Sequence, residues 1–170
     1  MSQKTRMLIV VGVILAIAAG AAIYGAISQN RMKNASGDTP QAGMIHLYVD
    51  KQFTANVSPA DLGDLPDASF KDAEDGKLQE GWLLKDVVLL YVNEGKLTAK
   101  SEVEVSGIRV STGETKSKAL TWEQIIEPAN NVLFDLTGNG SALKLVSEIP
   151  GFDIRDAWIQ GVNQIDVRTK

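Results

Sequence analysis

Hydrophobic and polar positions divide this chain into three unequal parts. From Met7 to Ile27, "MLIVVGVILAIAAGAAIYGAI", apolar and small residues run for 21 positions without a charge. A helix of that length rises about 30 Å, the thickness of a bilayer's hydrocarbon. The pattern predicts a transmembrane helix over 7–28, preceded by a cytoplasmic tail, 1–6. A cleaved signal is the competing reading. Its apolar region is shorter, about 7–15 residues, and ends at a small-x-small site, which "AIAAGAA" (Ala16 to Ala22) supplies. Residues 29–43, with "NRMKNASGDTPQAG", have no apolar period and read as a linker.

Beyond Met44 the pattern changes to short alternating runs. "MIHLYVD", "QFTANV", "KSEVEVSGIRV" and "TKSKAL" alternate as strands, and "NVLFDLTGNGSALKLV" reads as a hairpin turning at "TGNG", followed by a closing strand in "AWIQGVNQIDV". "SPAD" has a cap serine with proline at the first helical position. "TWEQII" has Thr121 and Gln124 at capping-box spacing, with Pro128 ending the helix. Gly81 to Gly95 places Leu83, Leu84, Val87, Val88 and Tyr91 at helical spacing, although its β-branched content keeps a strand in play. The stretch between, "DLGDLPDASFKDAEDGKLQEG", reads mostly as loop and irregular strand. The fold class expected is α+β, a β-rich domain over 44–170 with short helices.

Charge changes the choice of partner. Four of the 17 basic and one of the 21 acidic residues precede Met44, leaving 13 against 20 in the domain, a net charge of −7. Such a surface repels phosphate, so nucleic acid is excluded as a partner. The absence of cysteine removes disulfides, thiolate nucleophiles, iron–sulfur clusters and cysteine zinc sites.

Orientation is a near tie, with Lys4 and Arg6 before the apolar run and Arg31 and Lys33 after it. A six-residue tail has nothing to fold, which favours an extracytoplasmic domain. So do three N-x-S acceptors, at Asn34, Asn56 and Asn139, in an organism that glycosylates. Ala16 with Gly20, and Ala21 with Gly25, give small residues four apart, a candidate helix-packing face.

Three stretches carry a family resemblance. "VSPADLGDLPDASF", through Leu62, Leu65 and Pro66, "GWLLKDVVLL", through Gly81, Leu84, Asp86, Val87 and Leu89, and the ending "LKLVSEIPG…AWIQGVNQIDV" resemble the oxidoreductase molybdopterin-binding domain, the sulfite-oxidase-like fold, in a compact form. The resemblance implies that fold from about Val57 to Val167. In catalytic members a cysteine thiolate and the pterin dithiolene hold the metal, while basic and polar side chains hold the pterin phosphate. With no cysteine present and the sole histidine, His46, outside the likeness, the family's catalytic residues carry over to no position.

Chemistry-bearing residues are few. His46 alone is a surface or satisfied histidine more often than a base or ligand. Asp61, Asp64, Asp67, Asp72, Glu74 and Asp75 form an acid-rich stretch that does not fit a calcium loop and reads as solvated. Trp82, Trp122 and Trp158 read as core anchors. The expectation is a membrane-anchored, non-enzymatic accessory or interaction subunit of a cell-membrane complex, with no catalytic or metal-binding residues and no cofactor. Its partners would be the bilayer, through residues 7–28, and a membrane protein. An extracytoplasmic small-ligand or pterin-binding module without a catalytic metal is the alternative.

Overall fold

A computed structural model of the chain describes residues 39–41, 43–136 and 142–169, all within the compact unit Ala35–Lys170. The run over 7–28 with Ala16, Gly20, Ala21 and Gly25, the acceptors Asn34 and Asn139, and most of the 29–43 linker lie outside the described residues.

Strands β1 (Ile45–Val49) and β2 (Gln52–Val57) form an antiparallel hairpin. Its turn residues Asp50 and Lys51 both have positive φ, 49° and 69°, the handedness that matches strand twist in a two-residue turn. The last strand, β9 (Val162–Arg168), lies parallel to β1 and antiparallel to β5 (Glu102–Arg109), which pairs in turn with β6 (Glu114–Thr121). This five-stranded sheet has the order β2-β1-β9-β5-β6. A second sheet, ordered β3-β4-β7-β8, is antiparallel throughout: β3 (Asp67–Lys71), β4 (Leu78–Leu83), β7 (Leu133–Leu136) and β8 (Leu143–Val146).

Period-two alternation decides what each strand buries. On β5, Val103 and Val105 are buried, and on β9 Ile165 and Val167 join them. Leu133, Phe134, Leu143 and Leu145 come from the second sheet, and both sheets feed one core cluster. Two helices add to it, α1 (Leu84–Leu89) through Leu84, Val87 and Val88, and α2 (Trp122–Ile126) through Trp122 and Ile125. The capping box read at Thr121 forms: Thr121 N–H donates to Gln124 Oε1 at 3.0 Å, and Gln124 N–H donates back to Thr121 Oγ1 at 3.3 Å. Trp82, Trp122 and Trp158 are all buried.

The expected fold class needs correction. Two α-helices of 6 and 5 residues stand against nine strands, so the described chain is β-rich and not α+β. Among the described residues no helix is long and apolar enough to cross a membrane, and the transmembrane, single-pass assignment gains no support from the structure. The expected helix over Gly81 to Gly95 is shortened because its first residues belong to a ladder, with Gly81, Trp82 and Leu83 opposite Asp135, Phe134 and Leu133. Gly81 makes no turn into a helix. It is required by close approach, since a Cβ there would lie 1.8 Å from the Phe134 carbonyl oxygen. The supposed loop before it is the β3–β4 hairpin. Gly76, with φ +68°, sits in its connection, where Asp75 N–H donates to Asp72 Oδ1 at 2.9 Å.

Candidate functional site

The register gathers several strand ends at one edge of the first sheet. Ile45 lies opposite Val57, Gly107 opposite Val162, and Arg109 opposite Glu114. The starts of β1 and β9 therefore meet the end of β2 and the β5–β6 turn. The incoming chain is fixed at the same place. The Asn56 side chain, 6% exposed, accepts from Gln41 N–H at 3.0 Å and donates to the Thr39 carbonyl at 3.1 Å. Across the hairpin, His46 Nε2 donates to the Gln41 carbonyl at 2.9 Å.

A cleft of about 280 Å³ opens at this end, walled by Ile45, Val57, Ile108, Val110, Leu143 and Val162, with Gly43, Pro59, Ala142, Gly161 and Asn163 completing it. None of these residues carries a charge. Leu143 and Val57 at its floor are about 1% exposed, whereas Ile108 is 42% exposed and Val110 91%. The alternation of β5 explains the rim. Val103 and Val105 take the inward parity, so Ile108 falls on the outward parity with Glu102, Glu104 and Ser106, and Val110 follows in the turn just beyond the strand. Gly161 holds the rim in place, with φ +59° and so little room that a Cβ would lie 2.2 Å from Ile108 O. Ile108 N–H donates to Gly161 O at 3.0 Å.

The opposite end of the sheet is charged. Its cleft, about 580 Å³, is lined in part by Asp50, Gln52, Asn93 and Lys96. Asp50 accepts from Thr169 Oγ1 at 2.6 Å and from Thr169 N–H at 2.9 Å. Those two bonds, the side-chain one foremost, and the charge of Lys96 hold its carboxyl below the ordinary value against a smaller effect of burial. Arg168 bridges Glu102 and Glu104, reaching the latter at 2.8 Å.

A third polar region ties the second sheet to the loop before β9. Asp72, its side chain fully buried, accepts from Gln79 Nε2 at 2.9 Å; Lys144 donates to Gln79 Oε1 at 2.8 Å and pairs with Asp135 at 3.1 Å. Arg155 pairs with Asp75, and its backbone N–H donates to Glu74 at 3.2 Å. Burial pushes the Asp75 carboxyl up, but contacts with Asp72 and Lys77 and the Arg155 charge outweigh it and hold the group below the ordinary value. Asp72, Glu74 and Asp75 of the acid-rich stretch thus serve structure, and Asp61 likewise accepts from Ser58 N–H at 2.7 Å. Among the described residues no group of three or more His, Asp or Glu side chains could hold a metal ion. Lys144 Nζ stands 5.3 Å from the centre of the Trp158 ring, whose indole N–H is buried without an acceptor among the described residues. In α1, burial raises the Asp86 carboxyl, and Lys85 only partly offsets it.

No protein-family model matches the chain, and no curated protein matches it. A β-rich domain of two sheets does not by itself identify a molybdopterin-binding domain. Of the positions that carry the resemblance, Leu62, Leu65, Leu84, Val87, Trp158, Val162, Ile165 and Val167 are buried, which accounts for them as packing, whereas Gly81, Asp86 and Leu89 are half-buried and Pro66 is exposed. Of the candidate residues within the described chain, Asn56 and His46 come together as partners of the incoming segment. Asn56 spends both ends of its amide there. The apolar cleft went unread in the sequence, although one signal for it was present: an aliphatic residue, Ile108, on the polar parity of a strand, with Val110 in the turn that follows.

Proposed function

We propose that this protein is a membrane-held, non-enzymatic interaction module, an accessory subunit of a membrane complex, with the apolar end of its first sheet turned toward the membrane. The observation that carries this reading is the charge-free cleft. In a domain of net charge −7, one end exposes Ile108 and Val110 around an uncharged hollow, and exposed apolar surface of this kind marks sites of association. The chain enters at that same end, past His46 and Asn56. An apolar run over 7–28 that engages the bilayer would therefore present this end first. Keeping a module near its target raises the effective concentration, so a weak contact becomes well occupied.

Recovery of the full chain from native membranes in mild detergent tests the reading. A membrane protein should co-purify in fixed ratio, and Val110→Asp combined with Ile108→Asp should weaken its recovery. A chain found alone in the aqueous fraction, turning over a small molecule, would replace this reading with an enzyme.

A further inference from the structure

The end that carries Ile108 and Val110 is built as a fixed projection. Within the β5–β6 turn, Gly113 N–H donates to Arg109 O at 2.8 Å, and Gly113 takes a φ of +70°. Glu114 N–H donates to Thr112 Oγ1 at 3.3 Å. Behind the turn, Ile108 is bonded to Gly161 with no room for movement toward it. A turn held this firmly displays Val110 almost entirely to solvent, at 91% exposure, an arrangement that gives folding nothing. Its shape is ready before any occupant arrives.

We propose that this projection seats directly on a lipid surface, Val110 and Ile108 entering the interfacial layer of a neutral bilayer, so that the domain stands on the membrane by one defined face. The inference rests on the membrane-held reading and deepens it. Length of chain selects lipid over a protein partner. Thr39 and Gln41 are already bound to Asn56 and His46, so only residues 29–38 separate the fold from the apolar run. Ten residues cannot span more than about 35 Å even fully extended, which keeps any surface holding the run near the cleft. A protein partner would have to be recruited, whereas the lipid is already there. Charge selects the kind of lipid. With a net −7 on the domain and no charge in the cleft lining, anionic headgroups are not attracted, and apolar contact with a zwitterionic surface is what remains.

The absence of cysteine makes the test clean. Ser111→Cys at the turn and, separately, Gln52→Cys at the opposite end give single sites for a fluorophore in the full chain, reconstituted with phosphatidylcholine vesicles that contain brominated lipid. Quenching should be strong at 111 and weak at 52. Adding Val110→Ser should lower the ratio of seated to unseated domain about tenfold, the effect of withdrawing one aliphatic side chain. Equal quenching at the two sites, on chains that still float with the vesicles, overturns the lipid-seating inference and leaves the membrane-held reading standing. Protection at 111 that appears only in native membranes, and not in pure lipid, overturns it in favour of a protein occupant. Failure to float at all overturns both.

Discussion

The two ends of the five-stranded sheet are made by the same strands and end up as opposites. At one, Asp50 bonds Thr169 and Arg168 bridges Glu102 and Glu104, so these charges meet partners inside the fold. At the other, the cleft lining holds no charge, and two aliphatic side chains project, Ile108 on the outward parity of β5 and Val110 in the turn beyond it. A polar group left unpartnered costs stability, so folding selects its partner. An exposed aliphatic side chain has no such internal remedy, and beside an uncharged hollow it offers a surface for contact from outside. The difference between the ends therefore separates what the fold needs for itself from what it offers to others.

The sharpest way to break this comparison is to ask whether the apolar end is only an exposed part of the core. If floor and rim differ as burial says, Leu143→Ala should cost about 3 kcal/mol, a large-to-small change at a buried site. Val110→Ser should stay within about 0.5 kcal/mol of the parent, as surface substitutions do. Urea unfolding of both variants measures this. A loss at Val110 comparable to that at Leu143 would make the rim structural and dissolve the distinction.

A smaller effect is expected where the chain enters. Removing the buried amide in Asn56→Ala strands the Gln41 N–H and the Thr39 carbonyl and should cost about 1–2 kcal/mol. Hydrogen exchange at Gln41 should rise, while the β5–β6 turn is unaffected. The same geometry bears on modification. A glycan would be attached through the Nδ2 that donates to the Thr39 carbonyl, in a buried side chain, so occupancy of that acceptor and the folded arrangement of residues 39–41 should exclude one another in intact-mass and exchange measurements.

What was legible in the sequence follows from how local each signal is. The β1–β2 hairpin, the capping box at Thr121 and Gln124, and the β7–β8 pairing rest on neighbours in the chain, and periodicity or capping chemistry exposed them. The helix expected over Gly81 to Gly95 was overturned from a distance. Its first residues pair with Leu133 to Asp135, some fifty positions away, and no window around Gly81 contains that strand. The β3–β4 hairpin was hidden by its acids, which look like solvated loop until Asp72 is seen bound to Gln79 and its neighbour Asp75 to Arg155. The cleft needed both kinds of information. Parity on β5 marks Ile108, with Val110 next to it in the turn, but only the register of β9 and the bonds from His46 and Asn56 bring them beside the incoming chain.

The finest test of the comparison uses pH. Because Asp50 is held below its ordinary value of 3.8 by Thr169, the stability it contributes is fully present above that value and is lost as pH falls through the lower folded value. The apolar end has no titratable group in its lining, so nothing there should follow. Global unfolding is the wrong readout. Asp86, raised by burial, works with the opposite sign: the folded state binds its proton more tightly, so stability rises as pH drops toward 3.8. Asp75, held low like Asp50, adds a loss of its own on the second sheet. Amide protection compared at two positions isolates the ends. The Thr169 N–H, donating to Asp50, should lose protection on acidification below 3.8, whereas the Ile108 N–H, donating to Gly161, should keep it. Asp50→Asn should lower protection at Thr169 at neutral pH and abolish its pH dependence. If both amides instead lose protection together in the parent protein, the ends are coupled through β1 and β9, and the independence on which the comparison rests is lost.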